Sequence, residues 1–211
     1  HKIIYDVHED VPRQILSKHW IPWYLRRTVA FVVSAVEWLA ARIFDAVIPA
    51  TPKIAERFPC RKTAVVQNFP IRSELVLPNP PPYPSRPQSF AYIGGIAKIR
   101  GAVQMVTAMQ YFKDLPETRL LMAGGFDPAT LEPELRSLPM WDRVTYSGYL
   151  DRQGVIDLLG SVRAGLVVLH PIANYLDAYP VKMFEYMAAG LPVIASDFPL
   201  WREIVDGSDC G

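Results

Sequence analysis

An α/β protein built from two doubly wound, Rossmann-like units, the first only partly present, is what this sequence of 211 residues predicts. Three observations lead there. From Ser89 onward, strand-like apolar runs alternate with helical ones, the pattern of successive βαβ units and a parallel sheet. The runs "GLVVL" and "LPVIAS" are apolar throughout, as in strands covered by helices on both faces. Six prolines crowd into "PNPPPYPSRP", residues 78–87. Proline at that density favours extended polyproline II structure and a stiff spacer. It divides the chain into a first unit over residues 1–77, a linker over 78–88 and a second unit over 89–211.

In chain order, the first unit opens on the strand "KIIYDV" (2–7) and the loop "HEDVP" (8–12). A helical region runs from Pro22 to Phe44, then the short strand "AVIPA" (46–50). A small helix, "TPKIAERF" (51–58), starts at Thr51, a good N-cap, and the strand "TAVVQNF" (63–69) follows. In the second unit the pairs are "SFAYIGG" with "GAVQMVTAMQYF", "RLLMAGG" with "PATLEPELRSL", and "RVTYSGYL" with "DRQGVIDLLGSV". "AGLVVLHP" then pairs with the helix from Val181 to Gly190, and "LPVIASD" with "PLWREIVDG". The chain opens on His1 straight into a strand and stops at "DGSDCG", where the next strand of such a sheet is due, so a longer protein is expected around it.

Half of the residues are apolar, enough for a sizeable core. The net charge of +1 gives no electrostatic case for a nucleic-acid partner. Residues 1–80 carry 11 Lys and Arg against 7 Asp and Glu, while residues 81–211 carry 11 against 14. Cys60 and Cys210 stand far apart without metal spacing and suit a reducing compartment. "TVAFVVSAVEWLAA" (28–41) is the longest apolar stretch. It contains Glu37 and falls short of the ~20 residues that span a bilayer. A buried helix is expected there, with a membrane-surface helix as the alternative.

In open parallel sheets, ligands bind beyond the carboxyl ends of the strands, so the strand-to-helix loops are where chemistry is expected. "GGIAKIRGAVQ" (94–104) offers Gly94 and Gly95, backbone amides at a helix start, and the basic Lys98 and Arg100. Such a loop can hold an anion, with Arg100 gripping phosphate. It can equally be a plain glycine turn with solvated basic residues, for it matches neither G-x-G-x-x-G nor the Walker loop. In "DAYPVKMFEY", Asp177 sits in a loop and Glu185 lies eight residues on, in a helix, so both can face one crevice. Acceptor-only carboxylates suit the paired hydroxyls of sugars, and Val181 and Lys182 lie in the helix's first turn, where amides point outward. The alternative is a solvated Asp177 and an (i, i+3) pair between Lys182 and Glu185. "YDVHEDVP" places His8, Glu9 and Asp10 at a strand end, a candidate metal or acid–base cluster. Tyr149, in "YSGYL", has a ring for a flat base or for the core. His19 and His170 belong to no motif.

The series "YIGGIAKIRG … LLMAGG … VTYSGYL … PVKMFEYMAAGLPVIASDFPLWREIV" resembles the donor-binding domain of the family 4, or group 1, retaining glycosyltransferases of the GT-B fold. The likeness covers Ser89 to Gly211, and residues 1–77 look like the second half of the partner acceptor domain. It implies transfer of a sugar, with retention, from a nucleotide-diphosphate-sugar donor to a glycan or lipid-linked acceptor. No metal and no cofactor would be needed. The E-x7-E motif of that family falls on Asp177 and Glu185. Glu185 would hold the ribose hydroxyls and Asp177 the transferred sugar, the latter one methylene shorter than the usual glutamate. Gly95 occupies the first position of the basic pair on the diphosphate and Arg100 the second, with Lys182 as the inferred substitute. Pro180 replaces a glycine, which leaves the Val181 and Lys182 amides as donors. His8 looks like the acceptor-domain histidine that faces the donor sugar.

The same resemblance implies polysaccharide biosynthesis, a cytoplasmic location, and peripheral contact with a membrane face without a transmembrane segment. Two other functions share the architecture. One is a sugar-nucleotide epimerase, the other a non-catalytic glycosyltransferase-like protein that binds sugar nucleotide.

Overall fold

The structure, a computed structural model, describes residues 1–18 and 20–211; the expectation for His19 falls outside them. Contacts divide the chain into two units. The first comprises His1–Asn68 and Pro171–Tyr179, the second Phe69–His170 and Pro180–Gly211.

In the first unit, β1 (Ile4–Val7) pairs in parallel with β2 (Ala46–Pro49), Ile4 opposite Ala46 and Val7 opposite Pro49. Between them lie α1 (Val11–Ser17) and α2 (Trp23–Ile43). The expected loop at residues 8–12 is therefore cut short by a helix. Pro12 stands in the first turn of α1, where a missing N–H costs nothing, and Asp10 caps it by accepting from the Arg13 amide. α3 (Pro52–Ala55) starts on Thr51, whose hydroxyl accepts from the Ile54 amide as the N-cap rule expects. Val7, Ala41, Val47, Ile54 and Phe58 form a small core.

Two expectations for this unit are corrected. Residues 63–69 do not form a strand. Thr63 makes one bridge to Val47, and only the Ala64 and Val66 amides bond to β2. Val65, Val66 and Phe69 are exposed, so no burial enforces a longer ladder. And α2 is not a buried helix: only Ala30, Glu37 and Ala41 are buried along it.

The second unit is a five-stranded, wholly parallel sheet. Its strands are β3 (Ser89–Ile93), β4 (Arg119–Ala123), β5 (Val144–Tyr146), β6 (Ala164–Val167) and β7 (Val193–Ala195), in the spatial order β5-β4-β3-β6-β7. α4 (Ala102–Ala108) follows β3 and packs on α5 (Leu131–Arg136). α6 (Arg152–Ser161) precedes β6 and contacts β3, and α8 (Val181–Ala188) packs on β6 and β7. Between β6 and α8 the chain forms a short helix, α7 (Ala173–Leu176), which belongs to the first unit. α9 (Pro199–Gly207) ends the series. Strand order reverses at β3 and β6, the switch point at which such sheets open a crevice. The core is the face of β3 and β4 under α4 and α5, with Tyr92, Ile96, Met105, Leu120, Met122 and Leu135 buried.

The proline segment is no free spacer. Residues 78–88 are packed on the second unit by two arginines. Arg163 donates from Nε to the Arg86 carbonyl (2.9 Å) and from Nη2 to that of Pro84 (2.8 Å), while Arg86 Nη1 reaches the Val162 carbonyl (3.2 Å). Prolines lack an N–H, so the guanidinium groups supply the donors that hold the segment down.

Candidate functional site

The carboxyl ends of β3, β4 and β5 in the second unit each run into glycine: Gly94 and Gly95, Gly124 and Gly125, and Gly148. The three loops are stitched side by side. The Gly94 amide donates to the Ala123 carbonyl (2.9 Å), that of Ile96 to Gly125 (2.8 Å) and that of Gly124 to Gly148 (2.7 Å). Gly124 sits at φ +131°, and a Cβ there would overlap the Gly94 carbonyl. Only glycine combines that backbone angle with that approach. The result is a cavity of about 170 Å³ lined by Ile93, Gly94, Gly95, Gly124, Gly125 and Tyr149 among others.

Tyr149 is 86% exposed, so its ring is not core; its hydroxyl end lies over Gly125 at the cavity's edge. The core alternative for this residue is excluded by that exposure.

α8 brings charge to the same strand end. Tyr186 and Lys182 stand one turn apart on it and both reach β3. The Tyr186 hydroxyl, fully buried, accepts from the Ile93 amide (3.0 Å), and burial pushes its pKa well up. Lys182 donates from Nζ to the Tyr92 hydroxyl (3.0 Å), with Nζ 4.1 Å from the centre of the Tyr92 ring. Tyr92 in turn donates to the Gly95 carbonyl (2.7 Å). Burial, and then the positive charge of Arg100, bring the Lys182 pKa down to about 7, with Glu185 pulling the other way. An ammonium lowered in this way lies where an anion would restore its charge.

Arg100 belongs to a 3₁₀ turn, Lys98–Arg100, between β3 and α4. A Cβ on Gly95 would stand 3.0 Å from its Nη1. The missing side chain at residue 95 thus leaves room for the Arg100 guanidinium, the basic group of the same loop. Arg100 and Lys182 are close enough to feel each other, and neighbouring cations of this kind attract anions.

Glu185, on the same helix, is partly buried. No donor of the chain bonds its carboxylate among the described residues, and Lys182 turns to Tyr92 instead of forming the (i, i+3) pair. Val181 opens α8 behind Pro180, with no side chain capping the helix. The first amides there are left for water or a ligand.

The other two candidates, His8 and Asp177, belong to the first unit. His8 is exposed, its Nε2 3.0 Å from Asp6 Oδ2. It does not converge with Glu9 and Asp10: Glu9 accepts from Gln14, and Asp10 caps α1 and accepts from Arg57 Nη1 (2.9 Å). Asp177, just after α7, accepts from Arg13 Nη1 (2.6 Å). Arg13 also lies beside Asp10, Arg57 reaches Glu37 of α2, and the Tyr5 hydroxyl donates to Glu37 (2.9 Å). A continuous polar chain therefore joins Asp177 to Tyr5 through Arg13, Asp10, Arg57 and Glu37. Burial, with the neighbouring Glu37, pushes the Tyr5 hydroxyl up to about 12.

Tyr92, Arg13 and Arg57 were not singled out in the sequence. Tyr92 carried a signal, as the only phenol in the strand that runs into Gly94-Gly95. Arg13 and Arg57 carried none, because Asp177, which Arg13 binds, and Asp10 and Glu37, which Arg57 binds, are remote from them in the chain.

A family model described as "Glycosyl transferases group 1" matches residues 77–211. No curated protein matches the chain. Among solved structures, Anabaena Alr3699/HepE in complex with UDP and glucose aligns with a TM-score of 0.69 at 16% identity, over 97% of this chain and 55% of that one. Sucrose-phosphate synthase from Thermosynechococcus elongatus aligns at 0.63 and 20%, over 92% and 50%. WaaG, a glycosyltransferase involved in lipopolysaccharide biosynthesis, aligns at 0.59 and 14%, over 78% and 48%. The chain spans about half the length of these proteins, and at such identities the likeness is one of fold.

Proposed function

This chain belongs to the group 1 glycosyl transferases, and from that premise we propose that it transfers a sugar from a nucleotide-diphosphate-sugar donor, with retention, to a glycan or lipid-linked acceptor. The observation that carries the donor half is the convergence of Arg100, Lys182 and an unpartnered Glu185 on a glycine-lined strand end. The diphosphate would meet Arg100, the Lys182 ammonium and the Val181 and Lys182 amides. The ribose hydroxyls would donate to Glu185, which explains a carboxylate left without a donor of its own. The base would lie against Tyr149, and Gly95 would leave space for Arg100.

In that role Arg100 and Lys182 neutralise charge as it builds on the departing diphosphate, stabilisation aimed at the transition state. Two cations supply the positive charge, so the reaction is proposed to run without metal, and the nucleotide sugar is a substrate, with no cofactor required. His8 and Asp177 are proposed to act on the transferred sugar, Asp177 oriented by Arg13. The location proposed is a cytoplasmic membrane face. No helix among the described residues is long and apolar enough to cross a membrane. UDP in complex with a protein of the same fold supports a nucleoside diphosphate in general.

The test is calorimetric titration of UDP, GDP, ADP, CMP and dTDP, without metal, into the wild type and Glu185→Ala. One nucleotide is expected to bind the wild type, and to bind Glu185→Ala roughly tenfold to a hundredfold more weakly, the loss of two charge-assisted hydrogen bonds. Equal affinity in both proteins overturns the assignment of Glu185. Binding without sugar transfer in a turnover assay leaves a non-catalytic binder.

A further inference from the structure

The outer face of α2 is apolar, exposed and free of acid. Tyr24, Phe31 and Trp38 recur at seven-residue intervals, and Leu25, Val32 and Leu39 run beside them, all exposed. Phe31 is 74% exposed and Ile43, at the far end, 79%. At the near end Trp23, the first residue of α2, is 80% exposed, and Trp20, just before the helix, 73%. Two ladders of this length make a patch far broader than the scattered apolar residues of an ordinary surface.

The charges of α2 are as uneven as its hydrophobicity. Its acid, Glu37, is buried on the opposite side and bound to Arg57 and Tyr5. The exposed charges of α2 are Arg27 and Arg42, and the Arg42 guanidinium stacks 3.1 Å from the centre of the Trp38 ring. Arginine at the rim and tryptophan and tyrosine toward the ends are the composition of a helix lying in a bilayer interface. A second copy of this chain would set arginine against arginine with no exposed acid on the helix to pair with. Lipid phosphates would pair with both.

We propose that α2 lies flat on an anionic lipid surface, its Tyr24–Phe31–Trp38 and Leu25–Val32–Leu39 ladders in the acyl boundary and Arg27 and Arg42 on the phosphates. Its 21 residues extend over ~30 Å, and they lie along the membrane without crossing it. The inference rests on this surface and not on the nucleotide site, so it stands or falls independently of the donor.

The experiment is flotation of the protein with vesicles of phosphatidylcholine, alone or with phosphatidylglycerol, followed by tryptophan emission. Strong binding and a blue shift are expected with the anionic vesicles and little with the neutral ones. Phe31→Ser combined with Leu39→Ser should lower binding about tenfold or more, and Arg27→Glu should do so roughly tenfold and only on anionic vesicles. Both changes fall on exposed positions, and circular dichroism confirms that the fold is kept. No binding to either vesicle overturns the proposal, as does equal binding to both. A dimer in solution that Phe31→Ser turns into monomer would also overturn it and assign the face to a second copy. Nucleotide affinity should be the same in these variants, which separates this result from that of the donor site.

Discussion

Lys182 is a cation held where a cation is costly. Its folded value of about 7 lies below the ordinary 10.5, so folding releases a proton between those two pH values. The cost of the buried charge is full below pH 7 and fades as the pH rises toward 10.5. Stability relative to Lys182→Met should therefore rise with pH, by about 2 kcal/mol between pH 6 and pH 10, allowing for partial solvation. Chemical denaturation of both proteins across that range measures it, and a flat difference would refute the shift. Gly95 offers a second test. Its backbone suits any residue, and the neighbour of an added Cβ is the mobile end of Arg100. Gly95→Ala should change stability by less than ~0.5 kcal/mol while weakening nucleotide binding severalfold, because Arg100 must move away. The positions of Glu185, Lys182 and Arg100 on helix and loop could be read from the sequence. That Lys182 turns to Tyr92 could not, since a strand residue 90 positions away decides it.

At the scale of elements, α2 and α8 behave differently toward their own sequences. The helix predicted over Pro22–Phe44 is found at Trp23–Ile43, because its boundaries are set locally by Pro22 and by the turn into β2. What it buries was hidden. Apolar content alone does not say which neighbours exist: Ala30, Glu37 and Ala41 are buried, and Val29 and Val33 pack against Ile15, Ile21 and Ala30 while staying half-buried. Glu37, odd in an apolar run, is explained by Arg57 and Tyr5. Removing one partner of such a pair leaves an uncompensated charge. Arg57→Met should cost about 2–3 kcal/mol in urea unfolding, and Glu37→Met with Arg57→Met should recover much of it. An additive double variant would show that the pair is not coupled. α1 escaped notice because Pro12 suggests a loop, although the first turn of a helix tolerates proline.

The molecule as a whole separates its chemistry between its two units. Every candidate for nucleotide binding lies in Phe69–His170 and Pro180–Gly211, which carry their own sheet and core. In thermal unfolding of the whole chain, nucleotide should raise the transition of that unit first, by an amount that grows with the logarithm of ligand concentration. The parallel order of the sheet was legible because strand and helix signals alternate strictly from Ser89. The seating of the proline segment was not, because it depends on two arginines whose partners are carbonyls. One consequence of the Lys182 environment concerns heat. At pH 8 most copies of an amine titrating near 7 are neutral, and a diphosphate beside it would draw its charge back. Each binding event would then take a proton from the medium, and each departing nucleotide would return it. The measured enthalpy should accordingly shift with the ionisation heat of the buffer, less exothermic in Tris than in phosphate, and the slope of that dependence counts the protons that travel with the ligand.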